Sequence, residues 1–186
     1  MNETRISSED TAALVCLHGL FGGPEDFATL HALLPPEVRH FTPELPVATG
    51  FGEIEKTTEL VEHLERRLDS KGIERCVLVG SSLGAHVALA FALAHPGRVS
   101  GLVLSDPSLA LEKRLIARRS RLTSPEAAGA EIRRGFWDVT NGSEPMATTA
   151  FRSLSDPRRF RSLVRLIKDV DAHEPTARLI EISAPT

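Results

Sequence analysis

Short uninterrupted apolar runs alternate along this chain with segments whose apolar residues recur every three or four positions. Ala12-Ala13-Leu14-Val15-Cys16-Leu17 is the first run, and it stops at His18-Gly19. Continuous apolarity over so few residues predicts a strand buried on both faces, as in a parallel sheet. Gly22, Gly23 and Pro24 mark a loop. Phe27, Leu30 and Leu34 follow at helical spacing, and Pro35-Pro36 ends that helix. Residues 38–42 suit a short strand, whereas 43–52, with two Pro and two Gly, read as loop. From Glu53 to Lys71, Ile54, Val61, Leu64 and Leu68 line one face of a long amphipathic helix, and Gly72 sits where a helix stop belongs. Cys76-Val77-Leu78-Val79 predicts a second buried strand. Residues 83–94 are rich in Ala and Leu and carry no charge, so this helix is expected to lie buried against the sheet. His95-Pro96-Gly97 ends it, and Val99–Leu104 predicts a further strand before Asp106-Pro107.

Strands alternating with helices in this order predict an α/β fold, a mostly parallel sheet flanked by helices. The pattern then changes. Residues 109–172 show helical spacing and no convincing strand. Phe160, Leu163, Ile167 and Val170 form one apolar stripe, with Arg158, Arg159, Arg161, Arg165 and Lys168 around it. The expected organisation is a core over residues 1–108 and an all-helical cap inserted over 109–176. Leu179-Ile180-Glu181-Ile182 then leads toward another strand, so that 177–186 begin the return to the core.

Composition narrows the class without changing this picture. The chain has 186 residues, 22 basic and 25 acidic side chains and a net charge of −3, with 41% hydrophobic residues. These values exclude a disordered chain, a collagen-like repeat and a disulfide scaffold. No apolar run approaches the roughly 18 residues of a membrane-spanning helix. The start, MNETRISSEDTAA, has no basic segment followed by an apolar one, so no secretory signal is read there. Cys16 and Cys76 sit in apolar runs and are expected to be buried, reduced thiols of a cytoplasmic protein. No spacing of metal-ligating residues appears, and neither a metal nor a cofactor is expected. Residues 1–108 hold 8 basic and 15 acidic side chains, and residues 109–186 hold 14 and 10. With aromatics at 5% and no Tyr, that excess in the second half is too weak for a nucleic-acid partner. The expected partner is a small-molecule substrate, with neither nucleic acid nor membrane. Oligomeric state cannot be read from the sequence.

The candidate chemistry lies at Gly80-x-Ser82-x-Gly84, between a buried strand and a buried helix. A Ser on a sharp strand-to-helix turn is exposed as a nucleophile. Flanking glycines let neighbouring backbone approach without a Cβ clash. The helix start behind Ser82 aims backbone N–H groups at developing negative charge. Upstream, His18-Gly19-Leu20-Phe21-Gly22-Gly23 follows the first strand. A backbone N–H from this loop can join that of Leu83 in an oxyanion hole, with Leu20 the first choice of donor and Phe21 the second. His18, with Gly19, is expected to support this loop by hydrogen bonding rather than to act as a base.

Buried strand, HG loop, helix, GxSxG elbow and following strand together resemble the α/β-hydrolase superfamily, over about Leu14 to Ser105. The helical block resembles the cap that the superfamily inserts after the next strand, and Ile182-Ser183-Ala184-Pro185-Thr186 resembles the lead-in to the strand that carries the catalytic acid. Ser at the elbow implies ester, thioester or carbon–carbon bond hydrolysis and argues against relatives whose elbow residue is Asp. In the superfamily the nucleophile is followed by an acid and then a His, and both would fall beyond Thr186. The chain is therefore expected to be a C-terminally truncated hydrolase of weak or absent turnover. After Ser82 only His86, His95 and His173 occur. His86 is expected to be a helix residue rather than the base, His95 a helix C-terminal cap, and His173 part of the cap or surface. Asp106 is a candidate acid, weighed against a turn or N-cap role before Pro107, and Ser105 and Ser108 read as turn residues. The alternative function is an inactive binding protein that kept the fold and lost the triad.

Overall fold

The computed structural model describes residues 12–20, 22–47, 54–105, 156–172 and 175–185. Among them, β1 (Ala13–Leu17), β2 (His40–Phe41), β3 (Cys76–Ser81) and β4 (Val99–Ser105) form one parallel sheet in the order β2-β1-β3-β4. The chain leaves β1 toward one edge of the sheet and leaves β3 toward the other. The loops after β1 and β3 therefore diverge, and a crevice opens at the carboxyl ends of these two strands. Leu17 lies opposite Gly80, and Gly80 opposite Leu104, so β1, β3 and β4 finish level.

The lack of charge in α3 (Leu83–Ala94) follows from its place. Every residue from Leu83 to Leu89 is buried, as are Phe91 and Ala92. One face of the sheet, with Val15, Leu17 and Leu78, belongs to the same core. α2 (Thr57–Ser70) adds Leu60, Val61, Leu64 and Leu68. It starts four residues later than the pattern predicts. The backbone amides of Glu55 and Lys56 donate to the Glu59 carboxylate, at 2.8 and 3.0 Å, which closes the N-terminus there. Ile54 thus packs on the core from outside the helix. Beyond α2, Gly72 takes φ +59°, as predicted for a helix stop.

Three further expectations need adjustment. The strand expected over 38–42 shrinks to His40–Phe41, because Val38 N–H is already bonded to the Pro35 carbonyl in a turn. The helix after Pro24 opens as a 3-10 turn, Pro24–Phe27, before α1 (Ala28–Leu33). Leu179–Ile182 is not strand. Pro175–Glu181 is 3-10 helix, in which Arg178 and Glu181 stand one turn apart and pair at 2.6 and 2.9 Å. Strand-like pairing begins only at Pro185, whose carbonyl accepts the Leu102 N–H of β4 at 2.8 Å.

α4 (Pro157–Ala172) is the part of the expected cap that the structure describes; residues 109–155 lie outside the described residues. Among its described side chains Ser162 and Leu166 are buried, with Leu163 and Val170 packed beside the core. Leu166, only 2% exposed, lies outside the expected stripe, and docking centres between it and the stripe residues Leu163 and Val170. Among the described residues no helix is long and apolar enough to cross a membrane.

Cys16 and Cys76 are buried free thiols, each pushed up to about 11 by burial. Folded protein therefore keeps these protons at pH values where the unfolded chain has released them. Stability is expected to fall as pH rises from about 9 toward 11. Urea midpoints at pH 8 and pH 10 check this, with the Cys16→Ser/Cys76→Ser variant losing the extra dependence.

Candidate active site

Ser82 has φ 53° and ψ −118°, and it is the one non-glycine residue with positive φ among the described residues. Such a conformation costs about 1–3 kcal/mol and persists only where surroundings over-determine it. The surroundings are visible. Ser82 N–H donates to the Ser105 carbonyl at 2.9 Å, tying the turn to the end of β4. The Ser82 carbonyl accepts the amides of Ala85 and His86, at 3.0 and 3.3 Å, and so starts α3. A Cβ on Gly80 would lie 2.5 Å from Ala85 Cα, and one on Gly84 would lie 2.0 Å from the Leu17 carbonyl oxygen. Both glycines of the motif are thus required by backbone contact. Gly84 lets the first turn of α3 rest directly on the end of β1.

The glycine loop after β1 lies against this turn. A Cβ on Gly19 would be 3.5 Å from Ser82 Cβ and 4.0 Å from Ser82 Oγ. Gly22 N–H returns to the Gly19 carbonyl at 3.2 Å, and Gly23 N–H donates to the Asp26 carboxylate at 3.3 Å. Partial burial raises the Asp26 carboxyl from its ordinary value.

His18 is 1% exposed and committed at both ring nitrogens. Leu45 N–H donates to Nε2 at 2.9 Å, so Nε2 carries no proton and Nδ1–H donates to the Gly19 carbonyl, also at 2.9 Å. This fixes one tautomer and joins the loop after β1 to the segment after β2. Leu45 carries no sequence signal for this task, since its contribution is a backbone amide. His18→Ala would strand that buried amide and is expected to cost about 1–3 kcal/mol. Chemical denaturation measures it, and His18→Asn should recover part of the loss.

Other candidates separate. Leu20 is buried in the loop and Leu83 opens α3, whose first amides have no partner within the helix. Phe21, Asp106, Ser108 and His173 lie outside the described residues. His95 is the C-cap of α3, as expected, with its backbone N–H donating to the Phe91 carbonyl at 2.8 Å. Its ring Nδ1 lies 3.6 Å from a Glu65 carboxylate oxygen, and the ring stacks on Phe91. His86 is 2% exposed, with Nε2 3.5 Å from Thr57 Oγ1. Ser105, read as a turn residue, ends β4 and serves through its carbonyl. No group of three metal-ligating side chains stands together among the described residues.

A parallel sheet that divides at β1 and β3, with a strained serine between strand and buried helix, is the α/β-hydrolase fold. The chain belongs to the alpha/beta hydrolase family, whose model matches residues 14–186. Over 110 residues it is 34% identical to 2-hydroxymuconate semialdehyde hydrolase of Pseudomonas sp. (strain CF600), covering 54% of this chain and 39% of that protein. Over 149 residues it is 30% identical to lipase LipV of Mycobacterium tuberculosis (strain ATCC 25618 / H37Rv), covering 72% and 54%. The chain thus spans about half or less of these relatives' length. Among solved structures, Est816, described as an N-acyl homoserine lactone degrading enzyme, superposes with a TM-score of 0.72 at 19% identity, over 95% of this chain and 73% of that one.

Proposed function

We propose that this chain carries the nucleophile and oxyanion hole of a serine hydrolase acting on a carboxylic ester or a related acyl or carbon–carbon bond. The observation that carries the reading is the Ser82 backbone, strained and held against Gly19 by contacts from β1, β4 and α3. Ser82 Oγ attacks the substrate carbonyl carbon. The carbonyl oxygen becomes an oxyanion and accepts hydrogen bonds from Leu83 N–H and Leu20 N–H, with Phe21 as the alternative donor. The proton leaves Ser82 for a base oriented by an acid, and this reading places both outside the described residues. Asp106 stays a candidate for the acid. The names of the lipase and of the semialdehyde hydrolase support both an ester and a carbon–carbon bond as substrate class. No metal or cofactor enters the mechanism.

A fluorophosphonate probe tests the reading. Attack by Ser82 Oγ forms an O–P bond and expels fluoride, and peptide mapping should place the adduct on Ser82. Hydrolysis of a p-nitrophenyl ester should be lost together with labelling in Ser82→Ala, since both need Oγ and the base that takes its proton. Labelling elsewhere, or none in a folded version extended through the strands that carry the acid and the base, favours the non-catalytic binding protein.

A further inference from the structure

The carboxyl edge of the sheet holds a second polar cluster, made by three helices that are remote in sequence. Thr57 opens α2, and its backbone N–H donates to Asp169 Oδ2 of α4 at 2.7 Å. The Thr57 hydroxyl lies 3.5 Å from His86 Nε2 of α3. His86 in turn donates its backbone N–H to the Ser82 carbonyl at 3.3 Å. Thr57 and His86 are both buried, at 5% and 2% exposure. Beside them Arg165 of α4 pairs with Glu55, and Leu166 is sunk in the core. α4 therefore grips the start of α2 by charge and by apolar contact. Thr57 carries that grip through to the turn that presents Ser82.

We propose that Asp169 is a positioning residue, which acts through Thr57 and His86 to couple the docking of α4 to the geometry and reactivity of Ser82. Asp169 completes the N-terminus of α2, where Glu59 already satisfies the amides of Glu55 and Lys56. The carboxylate fixes the first residue of the helix, and so fixes where the Thr57 hydroxyl can stand. A buried hydroxyl with one allowed position gives the His86 ring one allowed position. His86 sits one turn behind Ser82, so a shift of its ring disturbs the amides that leave the elbow. A chain segment that moved α4 would then alter Ser82 without touching it. The reactivity arm of this inference rests on Ser82 being the nucleophile, whereas the structural coupling does not.

The 186-residue chain allows both arms to be measured. Thr57→Val keeps the backbone N–H for Asp169 and removes only the hydroxyl. Asp169→Ala removes the carboxylate, and Asp169→Asn keeps an acceptor oxygen. Amide hydrogen exchange at Ala85 and His86 should accelerate about fivefold in Thr57→Val and in Asp169→Ala, while β1 and β3 stay protected. Asp169→Asn should return to within about twofold of the parent. The double variant should be no faster than the worse single one, since both cut the same connection. Fluorophosphonate labelling of Ser82 should slow in the same order, with thermal midpoints recorded alongside. Exchange at Ala85 and His86 that is unchanged in Thr57→Val, or effects that add in the double variant, would overturn the coupling and leave Asp169 as a cap for α2 alone. Altered exchange with no labelling, even in a parent extended through the strands that carry the acid and the base, would sustain the coupling and refute the nucleophile.

Discussion

Gly84→Ala is expected to stop the chain from assembling its elbow. The new Cβ would stand 2.0 Å from the Leu17 carbonyl oxygen and 2.8 Å from that of His18. Both are backbone atoms, at the end of β1 and just beyond it, and neither can rotate away. Relief requires α3 to lift from β1, which opens a void under Leu83 and Val87, both buried. Overpacking of ordinary cores costs about 1–3 kcal/mol, and a backbone clash of this depth belongs beyond the top of that range. Far-UV circular dichroism with urea titration reads the result as loss of the cooperative transition or a large drop in midpoint. Gly19→Ala supplies the contrast. Its Cβ would make ordinary contact, 3.5 Å from Ser82 Cβ, so folding should be retained while a methyl 4.0 Å from Oγ slows fluorophosphonate labelling.

The second large effect is on Ser82 itself. Ser82→Ala and Ser82→Gly should both abolish labelling, because each removes Oγ, yet their stabilities should differ. Ala keeps a Cβ at φ 53° and retains the backbone strain, whereas Gly adopts positive φ freely. Ser82→Gly is expected to exceed Ser82→Ala by about 1 kcal/mol, despite the entropy that glycine usually loses on folding. Urea midpoints of the two variants decide it. Equal stabilities would mean that the turn carries no strain worth releasing. A more stable, unreactive glycine variant is what a site built at the expense of stability predicts.

The parts of this architecture that are legible in sequence are those in which side-chain chemistry and backbone geometry coincide. α3 was readable to the residue, since an uncharged helix must be buried and His95-Pro96 must end it. β1 and β3 were readable because both faces are apolar, and the two glycines flanking Ser82 because nothing else fits. The start of α2 departs from the helical pattern because Glu59 turns back on amides that the pattern includes. Leu179–Ile182 misled because four residues cannot distinguish a strand from a 3-10 turn, and Arg178–Glu181 settled the matter through a pair that only the turn permits. The supports of the site were the least visible. Leu45 and Ser105 act through a backbone amide and a backbone carbonyl, to which any residue type could contribute. Asp169 lies 112 positions from the amide it holds, a distance over which periodicity says nothing.

The bond from Ser82 N–H to the Ser105 carbonyl carries a consequence for how reactivity should appear in time. Ser82 follows β3, leans on β1 through Gly84, and is anchored to the last residue of β4. No hairpin or single helix–strand unit contains those contacts. The strained turn at Ser82 therefore exists only after the slow, non-local steps of sheet closure, and local fraying cannot release it piecemeal. Along a denaturant gradient, labelling of Ser82 should vanish together with the sheet, so the probe would report the population of fully folded chains.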